Sequence, residues 1–164
     1  MRLVLVAPVL LLTTPLLAQQ RELGTLGLNL RVDGGATVGV TWRASRAVTL
    51  RPAVSFAWNK TETPLSTSET TQYTVNLDLL LRTASWNRLS SYIGAGGGVG
   101  NISGSGGLVG KTWAARALAG AQLTVVDRVA LFGELGFEYN HAEGFQGKQA
   151  ALRTFPIGIV VFLK

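Results

Sequence analysis

From residue 21 onward apolar and polar residues alternate with a period of two, the spacing of strands whose two faces meet different surroundings. In the first run Leu26, Leu28, Leu30 and Val32 alternate with Thr25, Gly27, Asn29 and Arg31, and Asp33-Gly34-Gly35 then supplies hairpin turn residues. A second sets Ala36, Val38, Val40 and Trp42 against Thr37, Gly39 and Thr41. The third, 48–58, puts Val48, Leu50, Pro52, Val54, Phe56 and Trp58 on one face, and the fourth does the same with Tyr73, Val75, Leu77, Leu79 and Leu81. Further runs occupy 91–99, 113–125 and 129–139, and the last carries Phe155, Ile157, Ile159, Val161 and Leu163. Tight turns are expected around Trp86-Asn87 and at Asp127-Arg128. The Thr/Ser- and Gly-rich segments 59–70, 101–111 and 141–149 read as longer loops.

Runs of roughly 8–12 residues lie close to the ~9–11 that a tilted strand needs to cross a bilayer. Eight antiparallel strands joined in chain order close into an up-and-down barrel with both termini on one side. The expected fold is therefore all-β, an eight-stranded antiparallel up-and-down transmembrane β-barrel. Composition agrees. Hydrophobic residues make up 47% and charged residues 15%, with a mean hydropathy of +0.29, which excludes a disordered chain. Beyond the N-terminal segment no apolar stretch approaches the ~20 residues of a spanning helix, so a bundle of membrane helices is excluded as well.

Two features of the pattern orient the faces. Aromatic residues on the apolar face gather at strand ends: Trp58, Tyr73, Trp113, Tyr139 and Phe155 beside the longer segments, Trp42 and Trp86 at the opposite ends. Indole and phenol rings favour the headgroup level, so these seven form the expected membrane-interface girdle. The other face holds Arg51, Asp78, Arg82, Arg116, Glu134 and Glu138, three cations and three anions. Projecting into a narrow lumen, these six form the expected charge network, with Glu134 set beside the strand that carries Arg116. Gly94, Gly96 and Gly98 leave room for large neighbours.

The N-terminus reads as an address. MRLVLVAPVLLLTTPLLAQQ opens with Arg2, runs apolar from Leu3 to Leu12 and loosens at Thr13-Thr14-Pro15 before a cleavage expected after Ala18. Residues 1–18 are read as a signal peptide and 19–164 as the barrel.

The chemistry-bearing residues are few. The chain has no Cys and one His, His141, which excludes disulfides, thiol catalysis and multi-His metal sites. Ser105 to Thr112, SGGLVGKT, approaches a phosphate-binding P-loop but misses its first Gly, and period-two patterning flanks it. The formal charge of +6 divides between two ends: Arg43, Arg46, Arg88, Arg128 and Lys164 at the short turns, and Lys60, Lys111, Lys148 and Arg153 near the longer segments. Both sets suit anionic headgroups or lipopolysaccharide phosphates. Nucleic-acid binding, which needs one continuous basic face, is not expected.

YIGAGGGVG at 92–100, GAQLTVVDRVALFGELGFEY at 120–139 and the closing TFPIGIVVFLK resemble strands of small bacterial outer-membrane β-barrels. That family includes the membrane domain of outer-membrane protein A and the opacity-type and porin-like barrels. The resemblance covers 19–164. It implies export through the inner membrane, insertion by the barrel-assembly machinery and residence in the outer membrane among its lipids and lipopolysaccharide. Members usually end on Phe, whereas Phe162 here is followed by Leu163-Lys164. No peptidoglycan-binding domain is expected after the last strand. Some barrels of this kind are lipid A deacylases with a Ser two places after the His. Here Glu143 stands in that place. The expected role is structural, adhesive or surface-interacting, with no catalysis, cofactor or metal and a lumen filled by side chains. The alternatives are a narrow porin-like channel, a lipid-A-modifying enzyme and a secreted lipocalin-like binding barrel.

Overall fold

Eight strands follow one another around a ring: β1 (Leu26–Val32), β2 (Ala36–Arg43), β3 (Val48–Thr63), β4 (Ser66–Trp86), β5 (Leu89–Gly104), β6 (Leu108–Val126), β7 (Val129–Ala142) and β8 (Lys148–Phe162). Each pairs antiparallel with its sequence neighbours, and β1 pairs with β8 to close the barrel. The computed structural model describes residues 25–32, 35–63, 66–105, 107–143 and 148–163, with the side chains of 63, 66, 108 and 148–155 set aside. The expected signal peptide, the turn residues Asp33-Gly34, Lys164 and the side chains of Lys148, Arg153 and Phe155 lie outside that description.

The alternation becomes an inverted core. Leu79 is 43% exposed on the outer wall, while its neighbour Asp78 is 1% exposed inside. Leu28, Val38, Val54, Val75, Ile93, Val99, Leu131 and Ile157 share the outer wall, and all are exposed. A soluble barrel turns its apolar face inward, so the lipocalin-like alternative does not fit. An apolar outer wall with every edge paired by closure is what a bilayer demands.

Local chemistry explains the departures from regular pairing. Asn87 takes the left-handed conformation (φ 47°) in the two-residue β4–β5 turn, a region asparagine tolerates better than most residues. Pro52 has no N–H to give, and the β2–β3 ladder skips the positions opposite Pro52 and Arg51. On β8 a bulge falls between Thr154, paired with Leu135, and Ile157, paired with Gly133. Pro156 sits inside it, where a missing donor costs least.

The segments expected as loops are mostly strand. β3 and β4 continue to Thr63 and from Ser66, β5 and β6 to Gly104 and from Leu108, and β7 and β8 to Ala142 and from Lys148. Polar residues on both faces hide the period of two, yet the ladder continues because both faces stand in water. β4, with 21 residues, spans about 70 Å at ~3.3 Å per residue. β1 and β2, with 7 and 8, are the shortest. The rim is therefore high over β3–β6 and low over β1–β2.

Candidate functional site: a charged layer across the lumen

Alternation sends Arg31 of β1, Arg51 of β3, Asp78 of β4, Arg116 of β6 and Glu134 and Glu138 of β7 to the inner face. There they meet in one layer, with side chains no more than 9% exposed. Asp78 is the hub. Its Oδ2 accepts from Arg51 Nε at 3.3 Å and Nη2 at 3.1 Å, and its Oδ1 accepts from Arg116 Nε at 2.7 Å. Glu134 Oε1 lies 2.6 Å from Arg51 Nη2 and accepts from the Tyr92 hydroxyl at 2.8 Å. Arg31 Nη1 stands 3.6 Å from both Asp78 Oδ2 and Glu134 Oε2, and Arg116 Nη1 3.6 Å from Glu138 Oε2. Arg51 also lies over the Phe132 ring, 5.1 Å from its centroid.

Neutral donors extend the layer. Asn76 Nδ2 donates to Ser55 Oγ at 2.7 Å, Thr37 donates to the same oxygen at 3.0 Å, and Arg116 Nη1 donates to Asn76 Oδ1 at 3.4 Å. Glycines make the space. A Cβ on Gly96 would overlap the Asp78 carboxylate, one on Gly120 would come within 2.7 Å of the Tyr92 hydroxyl, and one on Gly158 would overlap the Phe132 ring. Below the layer, Ala130, Phe132, Val160 and Phe162 pack as an apolar cluster, and Leu80, Tyr92 and Leu118 as a second.

Of the six charges expected from the sequence, the structure brings five together and leaves one apart. Arg82 faces inward near the short turns, with no carboxylate partner among the described residues; its place is taken by Arg31. The layer keeps a zero sum, with Arg31, Arg51 and Arg116 against Asp78, Glu134 and Glu138. Glu134 does not meet Arg116 either, because the β6–β7 register sets Arg116 opposite Glu138 and Glu134 opposite Gly120. Arg31 stands on the polar face of its run, and Tyr92 falls within the run 91–99. What marks them as members is the level they reach along the barrel axis.

On the outer wall Trp42, Trp58, Tyr73, Trp86 and Trp113 are exposed and Tyr139 is half-buried. Trp113 packs on Tyr139 at 5.3 Å between centroids, and Phe56 on Tyr73 at 5.0 Å. Trp42 lies level with Leu50, eight residues along β3 from Trp58. That is about 26 Å of strand, or about 20 Å along the axis at a ~40° tilt, near the ~25 Å apolar band of such barrels.

His141 packs on Trp113, 5.8 Å between ring centroids, and its Nδ1 has no hydrogen-bond partner among the described residues. Neither Ser103 nor Ser105 bonds it; Ser105 bonds Glu69 across the β4–β5 edge. The P-loop-like segment turns directly into β6, a strand rather than a helix, so it forms no phosphate cradle.

An apolar outer wall, aromatic rings at two levels and a neutralised layer across the interior define the class: an eight-stranded transmembrane β-barrel. The solved structures it resembles are of the same build. The crystal structure of Neisserial surface protein A overlays at a TM-score of 0.60 and 13% identity, covering 84% of this chain and 93% of that one. A de novo designed transmembrane β-barrel overlays at 0.51 and 15% identity, covering 88% and 100%. At these identities the likeness is one of fold. No protein-family model and no curated protein matches the chain.

Proposed function

We propose that this chain is a bacterial outer-membrane barrel with a closed lumen, working through its polar outer hairpins in a structural, adhesive or surface-interaction role, without catalysis. The observation that carries the reading is the charged layer: six side chains, each at most 9% exposed, meet across the interior as three cations and three anions. Outside the bilayer, the β3–β4 hairpin presents Asn59, Lys60, Thr61 and Glu62 opposite Thr67 to Thr70, polar on both faces. Lys60 pairs with Glu62 at 2.5 Å, and Lys111 is exposed on the neighbouring hairpin; both suit lipopolysaccharide phosphates as a partner. The barrel-assembly machinery is the partner proposed for insertion.

A narrow channel is the second reading. Arg51 lines a cavity of about 30 Å³, and its partner Glu134 lines another of about 20 Å³. Single-channel recording in planar bilayers decides. The closed reading expects no steady conductance from the unmutated protein, and a stable open level would replace it with the channel. Deleting residues 60–69 should then remove surface binding while the barrel still shifts its gel mobility on boiling.

A further inference from the structure

The larger of the two cavities opens at the end that carries the short turns, and its chemistry is one-sided. Among the described residues Arg43, Arg82 and Arg51 line it, and no carboxylate does. Arg51 already serves Asp78 and Glu134 on the inner side. Arg82 is half-buried, and among the described residues it meets no counter-charge. It sits at a β4 bulge, where the register slips between Arg82 and Ala84, and bulges commonly re-aim a side chain. Arg43 is held across the mouth by the Phe162 ring, 4.3 Å from its centroid.

Neutral donors surround these cations. Thr41 accepts from Asn29 Nδ2 at 3.2 Å, so its own O–H is left to donate. Thr49, Ser90 and Gln122 also line the cavity and make no side-chain hydrogen bond within the described residues. Positive charge in a cleft with low-dielectric walls concentrates anions. Guanidinium forks match the paired oxygens of phosphate, and the hydroxyls and amide supply further donors. At about 30 Å³ the cavity has room for about two waters or the head of one small oxyanion entering from the mouth.

We propose that this vestibule is a binding site for a phosphate-class anion, gripped by Arg82 and reached from the side opposite the tall hairpins. The same chemistry arrives from two sources, a free oxyanion or the headgroup of an anionic phospholipid in the adjoining leaflet.

The test uses the folded full-length chain in a nonionic detergent free of phosphate. Inorganic phosphate, compared with chloride at equal ionic strength, should raise the thermal midpoint of the unmutated protein. Arg82→Gln should need at least tenfold more phosphate for the same effect, and Arg128→Gln, in the exposed β6–β7 turn, should need no more. Should Arg82→Gln fail to fold, Arg82→Lys, which keeps the charge and loses the guanidinium fork, should weaken the response in the same direction. In parallel, retention of phosphatidylglycerol is measured by native mass spectrometry. Arginine-dependent response to phosphate alone assigns a free oxyanion, to the lipid alone a headgroup, and to both a site that accepts either. No response to either, or a response that the Arg82 variants leave unchanged, overturns the proposal.

Discussion

Replacing Glu134 with Ala tests whether the lumen is held shut by charge. Glu134 is 3% exposed and takes three partners: Arg51 at 2.6 Å, Arg31 at 3.6 Å and the Tyr92 hydroxyl at 2.8 Å. Truncation leaves three buried guanidiniums facing two carboxylates and strips Tyr92 of its acceptor. Breaking a buried pair from one side costs about 3–5 kcal/mol, since the surviving charge stays desolvated. At roughly 2–4 °C per kcal/mol for a chain of this size, the melting midpoint should fall by about 6–20 °C. Glu143→Ala removes an exposed carboxylate and should change stability by no more than about 0.5 kcal/mol. A second substitution sharpens the comparison. Arg31→Met in the Glu134→Ala background returns the layer to two cations and two anions, and should recover part of the loss, the non-additivity expected of contacting groups. The assay is the temperature at which the folded, fast-migrating gel band disappears in detergent. Equal midpoints for Glu134→Ala and Glu143→Ala, or a double variant weaker than the sum of its parts, would refute the charge-locked lumen.

Leu79→Arg places a cation on the lipid-facing wall at a cost of about 2–4 kcal/mol near mid-bilayer, and membrane fractionation should show less assembled barrel. Gly96→Ala should lower the same gel midpoint sharply, because the new Cβ overlaps Asp78, whereas Gly133→Ala, with nothing within 4 Å, should be neutral or slightly stabilising. Arg51→Ala removes a side chain that lines one cavity and pairs with Glu134 of the other, so single-channel recording should detect openings that the unmutated protein lacks.

Alternation alone determines which face a residue joins, and here it did so for nearly every strand position, because lipid outside and charge inside leave no ambiguity of period. It carries no information about level along the axis, which depends on the stagger between strands. The expected network therefore includes Arg82 and omits Arg31, although both stand on polar faces; closure of β1 onto β8 lifts Arg31 into the layer, while Arg82 stays near the mouth. The pairing of Glu134 with Arg51 rather than Arg116 has the same origin. Residues 59–63 and 66–70 looked like loop because strands wet on both faces lose the contrast that makes them visible. The bulge at Phe155-Pro156 breaks the period just where the sequence suggests a clean alternation, and only the ladder to β7 reveals it.

The uneven strand lengths bear on the order of events as the barrel forms. β3 meets β4 along sixteen residue pairs, and β4 meets β5 along sixteen, each pair of strands being adjacent in the chain. β1 meets β8 along six, and those two strands come from opposite ends of the chain. A short ladder that closes a long loop gains least per unit of entropy lost, so this contact forms last and opens first. β1 also carries Arg31. Until it docks, Arg51 and Arg116 supply two positive charges against the three negative charges of Asp78, Glu134 and Glu138. The last strand to arrive thus brings the missing cation, and the unclosed sheet attracts its own closing strand.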